Sequence, residues 1–312
     1  MDPNVAEDFH HEALLYADGG EYLEGTVPFL EEGLRNGEPM LVAVSADRIV
    51  AIRRELGPDG DRIRFEDMAK LGANPARIIP AWRDFVDARA PGQPIRGIGE
   101  PIWAGRSPAE LIECQRHEAL LNVAFARTSA FRLLCPYDTE ALDEAVIDEA
   151  RRSHPCIVHA GTEHSSEAFL GLAAIETPFD VPLPEVPPDA LERRFDREAL
   201  PALRGEVAAF GAGAGLSADE ASDLALAANE VATNSVRYAG GGGLVRLWRV
   251  DHGVVCEVSD DGRIETALAG RIPPRSGEIG GWGLWLANQL CDLVQVRTFP
   301  GGSVVRVHMH RR

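Results

Sequence analysis

Short apolar runs alternate with longer segments of helical periodicity through the first half of the chain. Ala13–Ala17, Met40–Ser45, Ile95–Gly99 and Phe131–Cys135 have strand length, and Arg62–Phe65 is a shorter run of the same kind. Between them, Glu21–Arg35, Asp47–Leu56 and Pro75–Ala90 place apolar side chains at helical intervals; Ile78, Ile79, Trp82, Phe85 and Val86 share one face of the last. Ser107-Pro108-Ala109-Glu110 is a capping box with proline at the first helical position, so a helix is predicted from there to about Arg127. Thr139–Arg152 predicts another. Strand and helix in alternation imply a mostly parallel, doubly wound α/β sheet.

The pattern changes after a proline-rich segment. Pro178–Pro188 holds five prolines in eleven residues, an extended and semi-rigid composition. The expected organisation is a first domain over 9–170, a linker over 171–189 and a second domain over 190–312. In the second, Arg193–Asp196 reads as an edge strand and Ala199–Gly211 as a helix. Ser217-Ala218-Asp219-Glu220 is a second capping box, opening a long helix to about Tyr238. Strands follow at Leu244–Val250 and Val254–Ser259, then a loop over 261–280, a helix at Leu284–Leu290, and strands at Leu293–Phe299 and Val304–His310. Hairpins with helices between them predict an α+β sandwich.

Charge sharpens this division. The net charge is −18, from 31 Lys+Arg against 49 Asp+Glu. Residues 1–189 carry 17 basic and 34 acidic side chains, whereas 190–312 carry 14 and 15, so the surplus belongs to the first part. An acidic chain is a poor match for nucleic acid or an anionic membrane, and neither is expected as a direct partner. Lys70 is the only lysine, in Met68-Ala69-Lys70-Leu71-Gly72, which is no P-loop; P-loop hydrolysis is thereby excluded, and Schiff-base chemistry has one amine to draw on. Five scattered cysteines without CxxC suit a reducing cytosol, the acidic first residues are no signal peptide, and no apolar run spans a bilayer. A cytoplasmic location is expected.

Three motifs of the second domain carry chemistry. Glu230, Asn234 and Arg237 recur on one helical face, offering a general base, a hard oxygen ligand for Mg²⁺ and a phosphate clamp. Asp260-Asp261-Gly262 ends a strand; a carboxylate there can accept from an exocyclic amine, and Gly262 permits close approach of a planar ring. Gly280-Gly281-Trp282-Gly283-Leu284 opens a helix whose free amides suit phosphate oxygens. Each motif alone also reads as an ordinary solvated face or turn; the ordered set is the signal.

That set resembles the Bergerat-type ATPases: gyrase, the heat-shock chaperone ATPase, histidine kinases and, most nearly, the anti-sigma-factor serine kinases. Asn229–Ala239 resembles the N box, which implies Glu230 as the base and Asn234 as the Mg²⁺ ligand. Val258–Gly262 resembles the G1 box, implying Asp260 on the adenine amine, although Ile264 stands where the second glycine is usual. Gly281, Gly283 and Leu284 resemble the G2 box at the end of a short, proline-bearing lid, and Ser303 falls where the family often has threonine near the base. The resemblance implies a Bergerat ATP-binding fold with ATP and Mg²⁺ as cofactors. It also implies a protein serine/threonine kinase acting on an anti-sigma-factor antagonist, binding of a sigma factor, and a homodimer. A sensor histidine kinase and a non-catalytic ATP-gated binding module are the alternatives.

The first domain resembles the MEDS sensory domain in His11–Tyr16, Pro75–Trp82 and Arg96–Trp103. This implies a RecA-like fold without a P-loop and a small organic ligand. Arg96, Glu100 and Trp103, at the end of a strand, are its candidate site. Cys114 with His117, and His154, Cys156 and His159, are weaker metal-ligand candidates, for which plain burial is the better reading. His11-Glu12 and His117-Glu118 each mimic a phosphoacceptor histidine followed by an acid.

Overall fold

The computed structural model describes residues 9–175, 182–274 and 281–312. The chain divides into two compact units, Met1–Glu176 and Thr177–Arg312. Among the described residues no helix is long and apolar enough to cross a membrane.

The first unit runs β1 (His10–Tyr16), α1 (Gly19–Asn36), β2 (Met40–Val44), α2 (Ala46–Leu56), β3 (Arg64–Asp67), α3 (Met68–Leu71), α4 (Ile78–Asp87), β4 (Ile95–Gly99), α5 (Pro108–Ala124), β5 (Phe131–Asp138), α6 (Glu144–Ser153), β6 (Cys156–His159) and β7 (Thr162–Ser165). Its sheet has the order β3-β2-β4-β5-β1-β6-β7. Every neighbouring pair is parallel except β6–β7, so the sheet is mixed, with an antiparallel edge. β2 and β4 are buried along their whole length, which accounts for near-continuous apolar runs rather than alternation. The Ser107 capping box forms as the sequence predicts.

Three local differences from expectation have physical causes. α6 begins at Glu144, not Thr139, because Asp138 Oδ1 accepts from the amides of Glu140 and Ala141 and holds those residues in a turn. Pro75–Arg77 is a 3₁₀ turn ahead of α4. The β6–β7 hairpin was invisible to periodicity: β7 is exposed throughout, and the connection is set by Ala160 and Gly161 at φ 47° and 72°.

The second unit runs β8 (Leu191–Asp196), α7 (Leu200–Gly213), α8 (Ala218–Tyr238), β9 (Gly242–Val250), β10 (Gly253–Asp260), α9 (Trp282–Leu290), β11 (Leu293–Phe299) and β12 (Gly302–His310). Its sheet, order β11-β12-β10-β9-β8, is antiparallel throughout. One core joins the sheet to the helices through Leu224, Ala228 and Val231 of α8, Ala287 of α9, and Val245, Val258 and Val307 of the strands. Of the proline-rich segment, 176–181 lie outside the described residues. Gly171–Ile175 is a 3₁₀ turn with Ala174 fully buried. At the other end Arg306 Nη2 donates to Pro184 O at 2.8 Å.

Candidate functional site

In the second unit, α8, the end of β10 and the start of α9 converge. Asn234 lies half-buried on α8, with Glu230 one turn before it. Gly283 presses against both: a Cβ there would sit 2.7 Å from Asn234 Nδ2 and 3.3 Å from Glu230 O, so any larger residue would push the Asn234 side chain out of its place. Gly281, at φ 82°, turns the chain into α9 and leaves its N-terminus without a side-chain cap.

Asp260 ends β10 opposite Ser303. Its Oδ2 accepts from Ser235 Oγ at 2.6 Å; its Oδ1 accepts from Ser303 Oγ at 3.0 Å and from Gly262 N at 2.8 Å. A carboxylate has about four acceptor positions, so among the described residues three are used and one remains. That carboxylate borders a cavity of about 220 Å³ lined also by Val231, Asn234, Ser235, Gly262, Ile264, Gly281, Leu284 and Ser303. A volume below the roughly 300–1,000 Å³ of drug-sized sites suits a single flat ring. Ile264 is pinned at its mouth by reciprocal bonds with Thr298 Oγ1. A second cavity, about 580 Å³, shares Asp260 and Ser303 and is walled by Phe195 and the glycines 240, 242 and 243.

Of the residues expected at the site, Asn234, Asp260, Gly262, Gly281, Leu284 and Ser303 line the smaller cavity, and Gly283 backs it. Glu230 stands beside Gly283 without lining it. Arg237 is exposed and outside the lining. Gly280 and the rest of 275–280 lie outside the described residues. Ser235 and Val231 were missed as lining residues; Ser235 is buried on the neighbouring helical position and holds Asp260, a role no motif spacing announces.

In the first unit the expected ligand site separates. Glu100 and Trp103 line a cavity of about 310 Å³ at the C-terminal ends of β1, β2, β4 and β5, with Tyr16, Ser45, Arg48, Ile102 and Asp138. Arg96 does not belong to it. Four residues along a strand span about 13 Å, and Arg96 is instead buried against Phe29 and paired with Glu32 at 2.8 Å and with Glu38. In the cavity, Tyr16 Oη donates to Glu100 Oε1 at 2.8 Å, and Arg48 Nη2 donates to Tyr16 Oη at 3.2 Å.

Residues 10–155 match the model of the MEDS family, the MEthanogen/methylotroph, DcmR Sensory domain, and residues 194–309 match that of the histidine kinase-like ATPase domain. The chain is a MEDS domain followed by a histidine kinase-like ATPase domain. No protein of curated function matches it. Among solved structures it is similar to the RsbU and RsbW domains of Rv1364c from Mycobacterium tuberculosis, at 19% identity and a TM-score of 0.30 over 40% of this chain. The match spans 33% of that chain.

Burial in the MEDS-domain cavity pushes the Glu100 carboxyl up to about 7 against the pull of Tyr16 and Arg48. The folded chain thus keeps a proton that the unfolded chain loses near 4.5. This stabilisation is complete below the unfolded value and is lost as pH rises to about 7. Urea unfolding of the MEDS domain at pH 5 and pH 8 should differ by a contribution of order 2–3 kcal/mol that Glu100→Gln abolishes. An unchanged pH difference in the variant would contradict this origin.

The proposed metal sets of the MEDS domain are regrouped by the fold. His154 meets His11, Glu118 and Cys135, whereas Cys156 meets His10 and Glu163. Cys114, His117 and His159 are in neither group. His11 and His117 are 0% and 1% exposed, so neither presents its ring to a phosphate donor.

Proposed function

We propose that this chain is an ATP-binding regulator of the anti-sigma type, transferring the γ-phosphoryl group to a serine or threonine of an antagonist protein under control of the MEDS domain. One observation carries the reading: a carboxylate with one acceptor position left, at a ring-sized cavity that continues to a glycine-opened helix N-terminus. The remaining position of Asp260 takes the adenine amine, Ile264 and Leu284 flank the base, and the first amides of α9 receive phosphate oxygens.

Asn234 fits a Mg²⁺ site: it is half-buried, lines the cavity and offers the neutral oxygen that a hard cation takes. Held there, Mg²⁺ would neutralise phosphate charge. Glu230 orients the partner's hydroxyl and takes its proton as the new O–P bond forms and ADP leaves with the bridging oxygen. Arg237, exposed at the helix end, is assigned to phosphate or partner contact. The Glu100 cavity of the MEDS domain holds the small organic ligand. A sigma factor is the second protein partner, and the active species is a homodimer.

The test is incubation of the full chain with γ-labelled Mg·ATP, with and without a candidate antagonist. Acid-stable label on the partner is expected. Acid-labile label on the chain itself would make it a histidine kinase, and bound nucleotide without label a non-catalytic module. Asn234→Ala should lower Mg·ATP affinity and transfer at least about tenfold, the value of one lost ligand interaction; affinity equal to wild type would remove Asn234 from the site.

A further inference from the structure

We propose that the MEDS domain holds one divalent transition-metal ion, Zn²⁺ by the chemistry of its donors, between His11, Glu118, Cys135 and His154. The four ligand atoms lie within 4.8 Å of one another, and all four residues are 0–1% exposed. His11 Nε2 is 3.2 Å from Glu118 Oε2 and 3.4 Å from Cys135 Sγ; His154 Nε2 is 3.4 Å from Glu118 Oε2. A tetrahedron with bonds of roughly 2.0–2.3 Å has edges of about 3.3–3.8 Å; these three spacings are close to such edges, and the other three lie within 4.8 Å, a small contraction from closing on an ion.

The hydrogen bonds around the cluster fix where the lone pairs point. His154 Nδ1 sits 2.8 Å from the carbonyl of Ala150, an acceptor only, so that nitrogen carries the proton. Asn122 Nδ2 donates to Ser153 O at 2.7 Å, which leaves Asn122 Oδ1 to accept from His11 Nδ1 at 3.1 Å. Both neutral rings therefore aim an unprotonated Nε2 at the Glu118 carboxylate. Among the described residues, His154 Nε2 and Glu118 Oε1 are buried with no hydrogen-bond partner. Protonating both rings would instead place two cations with centroids 4.0 Å apart away from water. The Cys135 thiol is the one donor among the four groups, so His154 Nε2 still faces the Glu118 carboxylate acceptor to acceptor, which in a dry interior costs several kcal/mol unless a proton or a metal cation lies between them.

The donor set selects the ion. A thiolate with two imidazoles suits zinc and its neighbours and excludes Mg²⁺ and Ca²⁺. Loading expels the Cys135 thiol proton to solvent, and a 2+ ion with one thiolate and one carboxylate makes a neutral buried site. The Ala150 carbonyl and Asn122 hold the rings as outer partners of metal-bound histidines do. With all four positions protein-filled and water excluded, the ion is structural. It ties β1, β5, α5 and the end of α6, which are far apart in sequence, and is independent of the nucleotide site.

The test is elemental analysis of the full chain purified without a polyhistidine tag or chelator, expecting about one zinc per chain. His154→Ala and Cys135→Ser should lose at least about nine-tenths of it. Asn122→Ala, which touches no metal, should stay folded by circular dichroism and bind zinc about 10–100-fold more weakly. Cobalt in the wild-type chain should show thiolate-to-metal charge transfer that Cys135→Ser abolishes. Iron or nickel with the same ligand dependence supports the site and revises only the ion. A folded wild-type chain that takes up no transition metal from zinc-containing reducing buffer overturns it, as does zinc kept by Cys135→Ser but lost on Cys156→Ser.

Discussion

Asp260→Ala is expected to weaken adenine-nucleotide binding by at least about 100-fold, with the ATPase domain still folded by circular dichroism. The loss has two parts. A charge-assisted hydrogen bond to the base amine is worth about 1.5–3 kcal/mol. In addition, Ser235 Oγ, Ser303 Oγ and the Gly262 amide, all now bonded to this carboxylate, lose the group that shapes the slot. Asp260→Asn, which keeps one carbonyl oxygen, should fall between. The wild-type chain should also prefer ATP to GTP, since guanine offers an oxygen where Asp260 requires a donor. Titration of each variant with a fluorescent adenine nucleotide is the measurement. Wild-type affinity in Asp260→Ala would place the base elsewhere.

Trp82→Ala is expected to destabilise the MEDS domain by about 3–5 kcal/mol, the range for a fully buried large aromatic. Trp82 is 1% exposed, and its ring lies on Gly97 and Gly99 of β4. A Cβ at Gly97 would stand 2.6 Å from the ring and 2.9 Å from Leu133 Cδ1, so the two glycines form a groove that Trp82 fills and Leu133 borders. Phe131 and Phe85 close it, with ring centroids at 5.9 and 6.4 Å. Truncation leaves a cavity bounded by sheet backbone, which has little freedom to collapse. Denaturant unfolding followed separately for the two domains should move the MEDS transition and leave that of the ATPase domain in place. A shift below about 1 kcal/mol would show that the groove closes by itself.

Much of this molecule is legible along the chain because the relevant physics is local. The capping boxes at Ser107 and Ser217 form as read, since each involves residues three apart. The local geometry of the motifs proposed for the nucleotide site is legible for the same reason: Glu230 and Asn234 share a helical face, and Gly262 and Gly281 mark places where the backbone must turn or approach closely. The linear order of motifs could not show that Ser235 grips Asp260, because that bond depends on how α8 crosses the end of β10. Nor could it show that Arg96 and Glu100 serve different surroundings, since motif proximity is not proximity along an extended strand.

The acidic surplus, the lack of a P-loop lysine, the two-part organisation and the spacing of the three motifs proposed for the nucleotide site follow from the sequence alone, because composition and short-range spacing are properties of the chain itself. The His11–Glu118–Cys135–His154 cluster was decided only by tertiary structure. Its members come from two strands, a helix face and a helix end, at separations of 107 and 124 residues for the bonded pairs. Parallel pairing of β1 with β5 and packing of α5 against them bring these side chains together, and no local periodicity encodes a meeting that crossover connections make.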